Sequence, residues 1–527
     1  MKELEEMLAG SGSTWVSGEE LFKQKKCLTY DRFKQAIANK EVIQKEYRGK
    51  KYYTLPHIFK MESSISKNVV NHAAIKNNVP DLSTEEINAL IKEFENSSEE
   101  KMGFRCELHE EQANAVRMAV NSHICIVTGG PGTGKTTVIN AILYAEQHRR
   151  GRDKKPLIRF TAPTGKAARR ITESVKVPAK TVQKFIGAND YKDTPYLIDC
   201  DIVVVDEISM LDTVTLYQLM RSLSDNTRLF LVGDVDQLPS VGVGSCLRDL
   251  IFCGVVPVTK LEKTFRQKEG SCLAENINYV RHGYEKLEAG DDFKVISEFD
   301  EKKIVDSLVS SVMDARKRYG GENVVLLTPF RRKGATCSNN MNNILQDVIN
   351  PKVPGQYIDA DIIVKADVDD VNNGEDYKQH ISFRVGDPVM QLINRQDCPI
   401  ANGDVGTIKA IRDDELVVDY GHYEKSYEPS EFNELSLAYA MSVHKSQGSE
   451  YKCVVTCILP EHKRLLNRNM IYTDITRAKQ ECIIYCKEDT LKAALAREGG
   501  YERTTFLCEE IEDAKRRHDL LATAAGF

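Results

Sequence analysis

The chain has 527 residues, of which 41% are hydrophobic and 28% charged, a composition typical of a soluble globular protein with about three or four folding units. No apolar run approaches the ~18 residues of a membrane span, the start MKELEEMLAGSGS excludes a secretory signal, and fourteen cysteines without C-x-x-C pairs indicate buried thiols in a reducing cytosol. The net charge of −6 excludes attraction of nucleic acid by the whole surface, so nucleic-acid binding would need a local basic groove.

The first predicted unit, residues 1–62, combines helices with a basic hairpin. Ser17 and Glu20 form a capping box before a helix, and residues 29–40 have the pattern of a second helix. Residues 41–55 read as two strands around a basic tip, RGKK. This order is typical of a winged-helix-like module. Docking of DNA or of an unidentified protein and a purely structural role both stay open.

A helical linker is predicted over residues 63–104, and a nucleotide-binding domain over 105–285. In this domain the apolar, β-branched run HICIVTG leads into glycines, and the residues after the glycines have helical spacing. The motif between strand and helix fits G-x-x-x-x-G-K-[ST], whose backbone N–H groups wrap phosphates. Lys135 is expected to reach the outer phosphates, and the Thr136 hydroxyl to ligate Mg²⁺. The predicted nucleotide-binding residues of the loop are Gly129, Gly130, Pro131, Gly132, Thr133, Gly134, Lys135, Thr136 and Thr137.

Two further strands are predicted to end in residues that bind the metal ion, activate a water molecule and contact the γ-phosphate. The strand DIVVVDE ends in Asp206, which we expect to hold Mg²⁺, and in Glu207, which we expect to orient and deprotonate an attacking water. The strand RLFLVGD is followed by Gln237, whose amide can sense the γ-phosphate. The acidic pair favours hydrolysis over phosphoryl transfer to a small molecule, since a kinase would need a separate acceptor site.

The order of the motifs along the chain carries more information than any one motif. GGPGTGKTT is followed by TAPTGKAARR, VVVDEISMLD, VGDVDQLPSVGVG, LEKTFRQ, LAYAMSVHKSQGSEY and IYTDITRAK. As a set these motifs resemble the superfamily 1 helicases, most closely their RecD-like branch, over about residues 105–490. The resemblance implies an α/β fold with two RecA-like P-loop domains, ATP between them, and 5′-to-3′ movement on single-stranded DNA.

The resemblance also implies how the rest of the chain is organised. The second RecA-like domain is expected in two pieces, residues 286–350 and 432–505. The interruption at 351–431 reads as strands and turns, with Asn402-Gly403 as a hairpin signal, and resembles the SH3-like β-barrel insertion of these helicases. Residues 506–527 are predicted to add a C-terminal helix. The chain is too short for the long N-terminal region of larger relatives, so we expect a short form of the family.

Several nucleotide contacts are implied only by the resemblance. Gln112 matches a glutamine that reads the adenine edge, and Glu450 is expected to touch the ribose. Arg266 and Arg477 are the candidate arginine fingers, for which a planar, permanently charged guanidinium is suited. Asp474 stands where the family commonly has a small apolar residue, so it is expected to pair with Arg477 and to tune or weaken the finger.

The same resemblance predicts the contacts to the strand. Gln183 replaces a common histidine, which puts that contact in doubt, and the insert at about 188–200 is long enough for only a small strand-separating pin. Small residues, hydroxyls and cations suit contacts to the phosphate backbone. The predicted DNA-binding residues are Pro163, Thr164, Gly165, Lys166, Thr181, Gln183, Asn402, His444, Lys445 and Ser446.

The sequence therefore predicts an ATP- and Mg²⁺-dependent 5′-to-3′ DNA helicase that acts as a monomer on single strands and forked duplexes. One alternative is a translocase that strips proteins from DNA with little unwinding, which the short insert favours. A second alternative is an RNA helicase. A third is a nucleotide-switched binding module without a motor, against which the acidic pair and the two candidate fingers argue.

Overall fold

The computed structural model describes residues 2–23, 30–75, 81–102, 106–149, 155–187, 197–266, 270–297, 300, 303–364, 377–395, 397–499 and 502–524. The chain forms two compact units. The first comprises Met1–Pro163, Ala167–Phe265 and Gly500–Phe527, and the second comprises Thr164–Lys166 and Arg266–Gly499.

The N-terminal part of the first unit holds short helices and a three-stranded antiparallel sheet of order β1-β3-β2. The capping box is confirmed, because Ser17 and Glu20 exchange side-chain-to-backbone hydrogen bonds. The basic hairpin is confirmed too, with a turn at Arg48 and Gly49. The winged-helix-like interpretation stays a prediction. The elements are α1 (Lys2–Ser11), β1 (Val16–Ser17), α2 (Gly18–Lys23), α3 (Tyr30–Ala38), β2 (Ile43–Tyr47) and β3 (Lys50–Thr54).

The body of the first unit is a six-stranded parallel sheet of order β6-β5-β7-β8-β4-β9. Apolar runs without alternation give strands that are buried on both faces, as parallel sheets require. The elements are α4 (Pro56–Ala74), α5 (Thr84–Met102), α6 (Glu110–Asn121), β4 (Ile124–Gly129), α7 (Lys135–His148), β5 (Ile158–Ala162), α8 (Gly165–Val175), β6 (Ala179–Thr181), α9 (Val182–Phe185), β7 (Ile202–Val205), α10 (Thr213–Ser222), β8 (Arg228–Gly233), α11 (Cys246–Phe252) and β9 (Val258–Leu261).

Strand β4 shows how the two helical layers are built. Its side chains alternate between the faces of the sheet. Ile124 and Ile126 pack into one apolar cluster with residues of α4, α10 and α11. Cys125 and Val127 pack into a second cluster with residues of α5, α6, α7 and α8. The sheet is therefore covered by helices on both sides, which leaves the carboxyl ends of the strands as the place for a ligand.

The second unit is built on a five-stranded, all-parallel sheet of order β10-β21-β20-β11-β19. Two parallel-sheet units in one chain confirm the expected α/β fold with two RecA-like domains. The elements that form and cover this sheet are α12 (Cys272–His282), β10 (Phe293–Ile296), α13 (Ile304–Tyr319), β11 (Val324–Thr328), α14 (Ser338–Ile349), β19 (Ala440–Ser442), β20 (Tyr451–Ile458), α15 (Arg468–Ile475), β21 (Ala478–Cys486) and α16 (Glu488–Leu495).

An antiparallel insertion separates α14 from β19. Strands β12 (Tyr357–Val364) and β13 (Tyr377–Arg384) form a ribbon, and β14 (Pro388–Gln391), β15 (Val405–Arg412), β16 (Glu415–Asp419), β17 (Glu424–Tyr427) and β18 (Leu435–Leu437) form a sheet of order β17-β16-β15-β14-β18. This sheet continues past the predicted boundary at residue 431. Its likeness to an SH3 barrel stays a prediction.

The Asn402-Gly403 signal marks a turn of a different kind from the short hairpin turn that the dipeptide favours. Asp404 N donates to Ala401 O across the pair, and only Gly403 has a positive φ, of 89°. A two-residue hairpin loop of this composition needs positive φ at both residues. The turn instead ends a longer loop between β14 and β15.

The C-terminal helix α17 (Leu507–Ala524) belongs to the first unit, where it packs against α4 and α11. Helix α4 crosses the predicted boundary between residues 62 and 63 as one continuous element. None of the helices among the described residues is long and apolar enough to cross a membrane. The described cysteines are free thiols, and most of them are buried, as expected.

Candidate functional site

The phosphate-binding loop follows β4 and opens α7, as the motif predicts. The Lys135 Nζ donates to the carbonyl oxygens of Gly129 at 2.7 Å and Gly130 at 3.0 Å. The buried Thr133 hydroxyl also donates to Gly130 O. The lysine ammonium therefore lies over the loop, where the outer phosphates of a nucleotide would replace the carbonyls as its partners.

Gly134 and Gln112 fit against each other behind this loop. Gly134 has φ +81°, and a Cβ atom on it would lie 2.2 Å from Gln112 Nε2. The Gln112 amide donates to Thr133 O at 3.0 Å and accepts from His109 N at 2.9 Å. The amide oxygen and the amide nitrogen of Gln112 thus each bind one backbone group, and each can form one further hydrogen bond. The role of Gln112 in reading adenine stays a prediction.

We expect Gly134→Ala to weaken nucleotide binding by ~10-fold or more, because the new methyl group displaces Gln112 and strains the loop. The matched control is Gly254→Ala, which imposes the same strain at φ +66° but has no atom within 4 Å of its Cβ. Nucleotide affinity is measured by titration of a fluorescent ATP analogue. Equal affinities of the two variants would contradict this account of the loop.

The acidic pair lies at the carboxyl end of β7. The Asp206 side chain is partly buried, and its Oδ1 accepts from Glu207 N at 2.9 Å. Desolvation, followed by the neighbouring Glu207 charge, raises the pKa of Asp206 to about 6 against the opposing charges of Lys135 and Arg170. Glu207 has φ 53°, a left-handed conformation that is uncommon for a non-glycine residue and is typical of functional sites.

The donors at this edge fit a magnesium ion. Thr136 is exposed at the start of α7, and its hydroxyl and the Asp206 carboxylate are the hard oxygen ligands that Mg²⁺ prefers. The raised pKa of Asp206 would be relieved by a cation beside it. Within the described ranges no group of three or more His, Cys, Asp or Glu forms a metal cage, so the ion would take its other ligands from phosphates and water.

Gln237 lies in the loop after β8, next to β4 and β7 in the sheet. It is 5% exposed, and its Nε2 donates to Asp234 Oδ2 at 3.2 Å. Asp234 is itself fully buried directly after the strand. The parallel register therefore brings the ends of the strands that carry Lys135, Asp206 and Gln237 to one edge.

In the second unit, two of the predicted nucleotide contacts bind each other. Arg266 donates to Glu450 Oε1 at 2.6 Å, and Lys479 lies 3.0 Å from Glu450 Oε2. The Arg266 and Glu450 side chains are mostly buried. Their predicted roles, as finger and as ribose contact, stay predictions, and each would require this ion pair to open.

The other candidate finger, Arg477, is 3% exposed and directly follows α15. Its guanidinium donates to Thr473 O, to Ser449 O and to the Thr476 hydroxyl. Asp474 does not take up this side chain as expected. Its Oδ2 accepts from Thr456 at 2.5 Å, and its Oδ1 has no hydrogen-bond partner. Arg477 therefore affects Asp474 through its charge.

Asp474 makes the stability of the second unit depend on pH. Burial raises the pKa of this carboxyl from 3.8 to about 7, against the Thr456 hydrogen bond and the Arg477 charge. A raised native pKa gives stability that is present in full below the unfolded pKa and is lost as the pH rises through the native one.

We therefore expect wild type to lose about 2–3 kcal/mol of unfolding free energy between about pH 5 and pH 8 relative to Asp474→Asn, which carries no ionisable group there. Urea unfolding at the two pH values measures this difference. Asp314→Asn, at an exposed position of α13, is the control and should track wild type. Parallel curves for wild type and Asp474→Asn would contradict the prediction.

The predicted strand-binding residues lie in four structural settings. Pro163 and Thr164 before α8 and Gly165 and Lys166 in its first turn are partly exposed, and His444, Lys445 and Ser446 form a 3₁₀ turn after β19. Thr181 caps α9 by accepting from Lys184 N, whereas Gln183 is exposed. Ser446 is buried and donates to Val443 O, so its hydroxyl holds its own turn. Asn402 is partly exposed, with its N–H donated to Asn394 Oδ1.

Sequence reasoning missed two aromatic residues beside the loop. Phe265 N donates to Gly132 O at 2.8 Å, its ring is 51% exposed, and the His109 ring lies 6.3 Å from it. His109 begins the helix that carries Gln112. Phe265 precedes Arg266 in LEKTFRQ, so the motif contained the residue but gave no sign of its contact. Most of the predicted pin, residues 188–196, lies outside the described residues.

Comparisons with known proteins match both units. A family model described as an AAA domain matches residues 107–301, and one described as a UvrD-like helicase C-terminal domain matches residues 437–485. The ATP-dependent RecD2 DNA helicase of Deinococcus radiodurans is 31% identical over 412 residues, which cover 77% of this chain and 52% of that protein. The RecBCD enzyme subunit RecD of Mycolicibacterium smegmatis is 28% identical over 442 residues, covering 77% of this chain and 75% of that protein.

The chain thus spans about half the length of the Deinococcus relative. Among solved structures, Bacteroides Pif1 bound to single-stranded DNA aligns over 72% of this chain and 92% of that one, with 17% identity and a TM-score of 0.44. At these values the assignment rests on the sequence matches and on the motifs. These matches make the chain similar to proteins of the superfamily 1 helicase class. Within that class it is similar to RecD2 and RecD proteins, as the motifs predict.

Proposed function

We propose that this chain is an ATP-dependent DNA helicase that moves 5′ to 3′ along single-stranded DNA. One observation carries the proposal. A phosphate-binding loop with Lys135, an acidic pair with Asp206 and Glu207, and a glutamine, Gln237, follow three neighbouring strands of one parallel sheet. The chain also has a second parallel-sheet unit with the HKSQGSE and ITRAK motifs, which a small-molecule kinase would not need.

The hydrolytic chemistry follows from the residues at the sheet edge. The loop N–H groups and Lys135 hold the phosphates, and Glu207 accepts the proton of the attacking water. Gln237, whose amide donates to Asp234, is proposed to bond the γ-phosphate. A magnesium ion held by Thr136 and Asp206 would neutralise charge on the phosphate oxygens.

Recognition of adenine is proposed to involve Gln112 together with Phe265. The Gln112 amide keeps one donor and one acceptor position, and adenine presents complementary groups on one edge. The exposed Phe265 ring offers an apolar face beside the loop. This combination is proposed to favour ATP over other nucleotides.

Movement is proposed to require the second unit. Arg477, which donates to Thr473 O, Ser449 O and the Thr476 hydroxyl of its own unit, is proposed as the finger. Arg266 can act only after it leaves Glu450. The turn His444–Ser446 and the first turn of α8 are proposed to hold the DNA backbone through Lys445, Lys166 and nearby backbone groups.

Two alternative functions would use the same catalytic residues. A translocase that removes proteins from DNA would use the same residues with little unwinding, and the short segment at 188–200 favours it. An RNA helicase is a second alternative, since phosphate contacts do not discriminate against the 2′-hydroxyl. The Mycolicibacterium relative is a RecBCD subunit, so a protein partner for this chain, through its N-terminal module, is part of the proposal.

The test is ATP turnover by the purified chain with Mg²⁺ and single-stranded DNA, RNA of the same sequence, or no nucleic acid. Glu207→Gln serves as the control for contaminating ATPases. We expect DNA to stimulate turnover more than RNA does. Stronger stimulation by RNA would favour the RNA helicase, and turnover that no nucleic acid changes would contradict the proposal.

A further inference from the structure

The loop after Gln237 also contacts the segment that follows Glu207, so it links two segments of the first unit that carry predicted catalytic residues. We call residues 240–244 the glycine loop. Thr213 N, at the start of α10, donates to Val243 O at 2.9 Å, and a Cβ atom on Gly242 would lie 2.0 Å from Asp212 Oδ2. Asp212 follows Glu207 by one short 3₁₀ turn. The position of the glycine loop is therefore tied to both Gln237 and Glu207.

A distant arginine holds the glycine loop. Arg503, from the segment before α17, donates to the carbonyl oxygens of Ser240 at 2.6 Å, Gly242 at 2.9 Å and Gly244 at 2.8 Å. Its Nη1 also lies 3.4 Å from the Ser240 hydroxyl. Burial lowers the pKa of Arg503 to about 10, so the guanidinium stays charged at neutral pH. One side chain thus satisfies three carbonyls of a loop that forms neither helix nor strand.

Residues near the N-terminus lie on the other side of Arg503 and the glycine loop. Gly12 O accepts from Gly244 N at 2.8 Å, and a Cβ atom on Gly12 would lie 2.6 Å from Arg503 Cζ. Thr504 N donates to the Ser13 hydroxyl at 3.0 Å. Arg503 is therefore packed between two segments and has little freedom to release the loop.

We propose that Arg503 is a positioning residue for ATP hydrolysis, which fixes the glycine loop and through it Gln237 and the Glu207 segment. The inference rests on the proposed function, since it assigns Arg503 to that reaction. It goes beyond the helicase motifs, which end before residue 490, and gives the C-terminal segment a function. Arg503 binds the carbonyls of the glycine loop, and it is proposed to act through this loop.

Such a residue has a kinetic signature. Displacement of catalytic groups by about 1 Å costs up to ~10²-fold in rate, whereas phosphate binding by the loop of β4 does not depend on the glycine loop. We expect Arg503→Gln to lower kcat of DNA-stimulated ATP hydrolysis by ~10-fold and to leave KM for ATP within about twofold. Arg503→Lys, which keeps the charge and some donors, should retain an intermediate kcat.

The chain offers a matched control in the second unit. Arg497 also donates to three backbone carbonyls, those of Lys463, Arg464 and Leu466. Arg497→Gln therefore removes the same kind of contact from a segment without a proposed catalytic role. The proposal expects a lower kcat for Arg503→Gln than for Arg497→Gln at equal thermal stability. Equal kcat values for the two variants would overturn it.

Amide hydrogen exchange separates this inference from the proposed function. Peptides covering residues 234–245 should exchange ~10-fold faster or more in Arg503→Gln than in Arg497→Gln, with strand β4 unchanged in both. This readout needs no turnover. If wild type lacked DNA-stimulated turnover while the exchange difference was present, the proposed function would fail and the anchoring by Arg503 would stand. Equal exchange would overturn the anchoring.

A second variant keeps the test decisive if Arg503→Gln does not fold. Gly12→Ala puts a methyl group against the guanidinium, and Gly254→Ala, at the same φ of +66° with no atom within 4 Å, is its control in the same unit. We expect Gly12→Ala to reduce kcat in the same way as Arg503→Gln, and Gly254→Ala to match wild type. Unchanged kcat in Gly12→Ala with normal folding would count against the proposal.

Discussion

Asp206→Ala is expected to abolish ATP turnover while leaving the affinity for single-stranded DNA within about twofold of wild type. Asp206 is the carboxylate at the end of β7 that would hold Mg²⁺ and lies next to Glu207. Without it the charge on the phosphate oxygens is not neutralised and Glu207 loses its neighbour. Stopped turnover with DNA binding intact is expected because the predicted strand contacts lie on other segments.

Two further variants make this result interpretable. Asp206→Asn removes the charge with almost no change of volume, and since burial already raises the pKa of this carboxyl to about 6, the variant should fold normally. Asp201→Asn changes the carboxylate just before the same strand, which accepts from Leu157 N, and should keep its turnover. DNA-stimulated turnover by Asp206→Ala would contradict the assignment of the acidic pair.

Replacement of Arg477, the proposed finger, is expected to have the second large effect, a loss of ~10³-fold or more in kcat, which is typical of arginine fingers. Lysine should rescue little, because a point charge cannot reproduce the planar guanidinium that binds Thr473 O, Ser449 O and the Thr476 hydroxyl. Single-turnover ATP hydrolysis measures the chemical step directly.

The control for Arg477 lies on the preceding helix. Arg468 donates to Leu495 O and pairs with Glu498, so Arg468→Lys changes a comparable structural arginine of the same unit. We expect Arg468→Lys to hydrolyse ATP at a rate close to wild type. If Arg477→Lys hydrolysed ATP as fast as Arg468→Lys, Arg477 would not be the finger, and Arg266 would become the candidate.

The parts of the fold that the sequence predicted are those with strong local signals. Strands β4, β7 and β8 are apolar and β-branched, and each ends at a glycine or an acidic residue that starts a loop. The capping box at Ser17 and Glu20 lies within four residues. In these places local preference and the native contacts agree, so the pattern is sufficient to identify the element.

The contacts that the sequence could not predict join residues far apart in the chain. Arg503 binds carbonyls about 260 positions earlier, and backbone carbonyls have no sequence signature. Trp15 and Thr14 donate to the two oxygens of the buried Glu62, and no local pattern indicates these contacts between residues 47 and 48 positions apart. The motif identifies Gln112, but its hydrogen bonds with Thr133 O and His109 N depend on how the folded chain brings these segments together.

The most direct test of the central claim uses forked DNA duplexes with either a 5′ or a 3′ single-stranded tail, in the presence of ATP and Mg²⁺. Strand separation and ATP turnover are measured in the same reaction, with Glu207→Gln as the inactive control. The proposed function predicts separation of the 5′-tailed duplex and little separation of the 3′-tailed one. Separation from the 3′ tail alone, or turnover that neither DNA stimulates, would contradict a 5′-to-3′ motor on DNA.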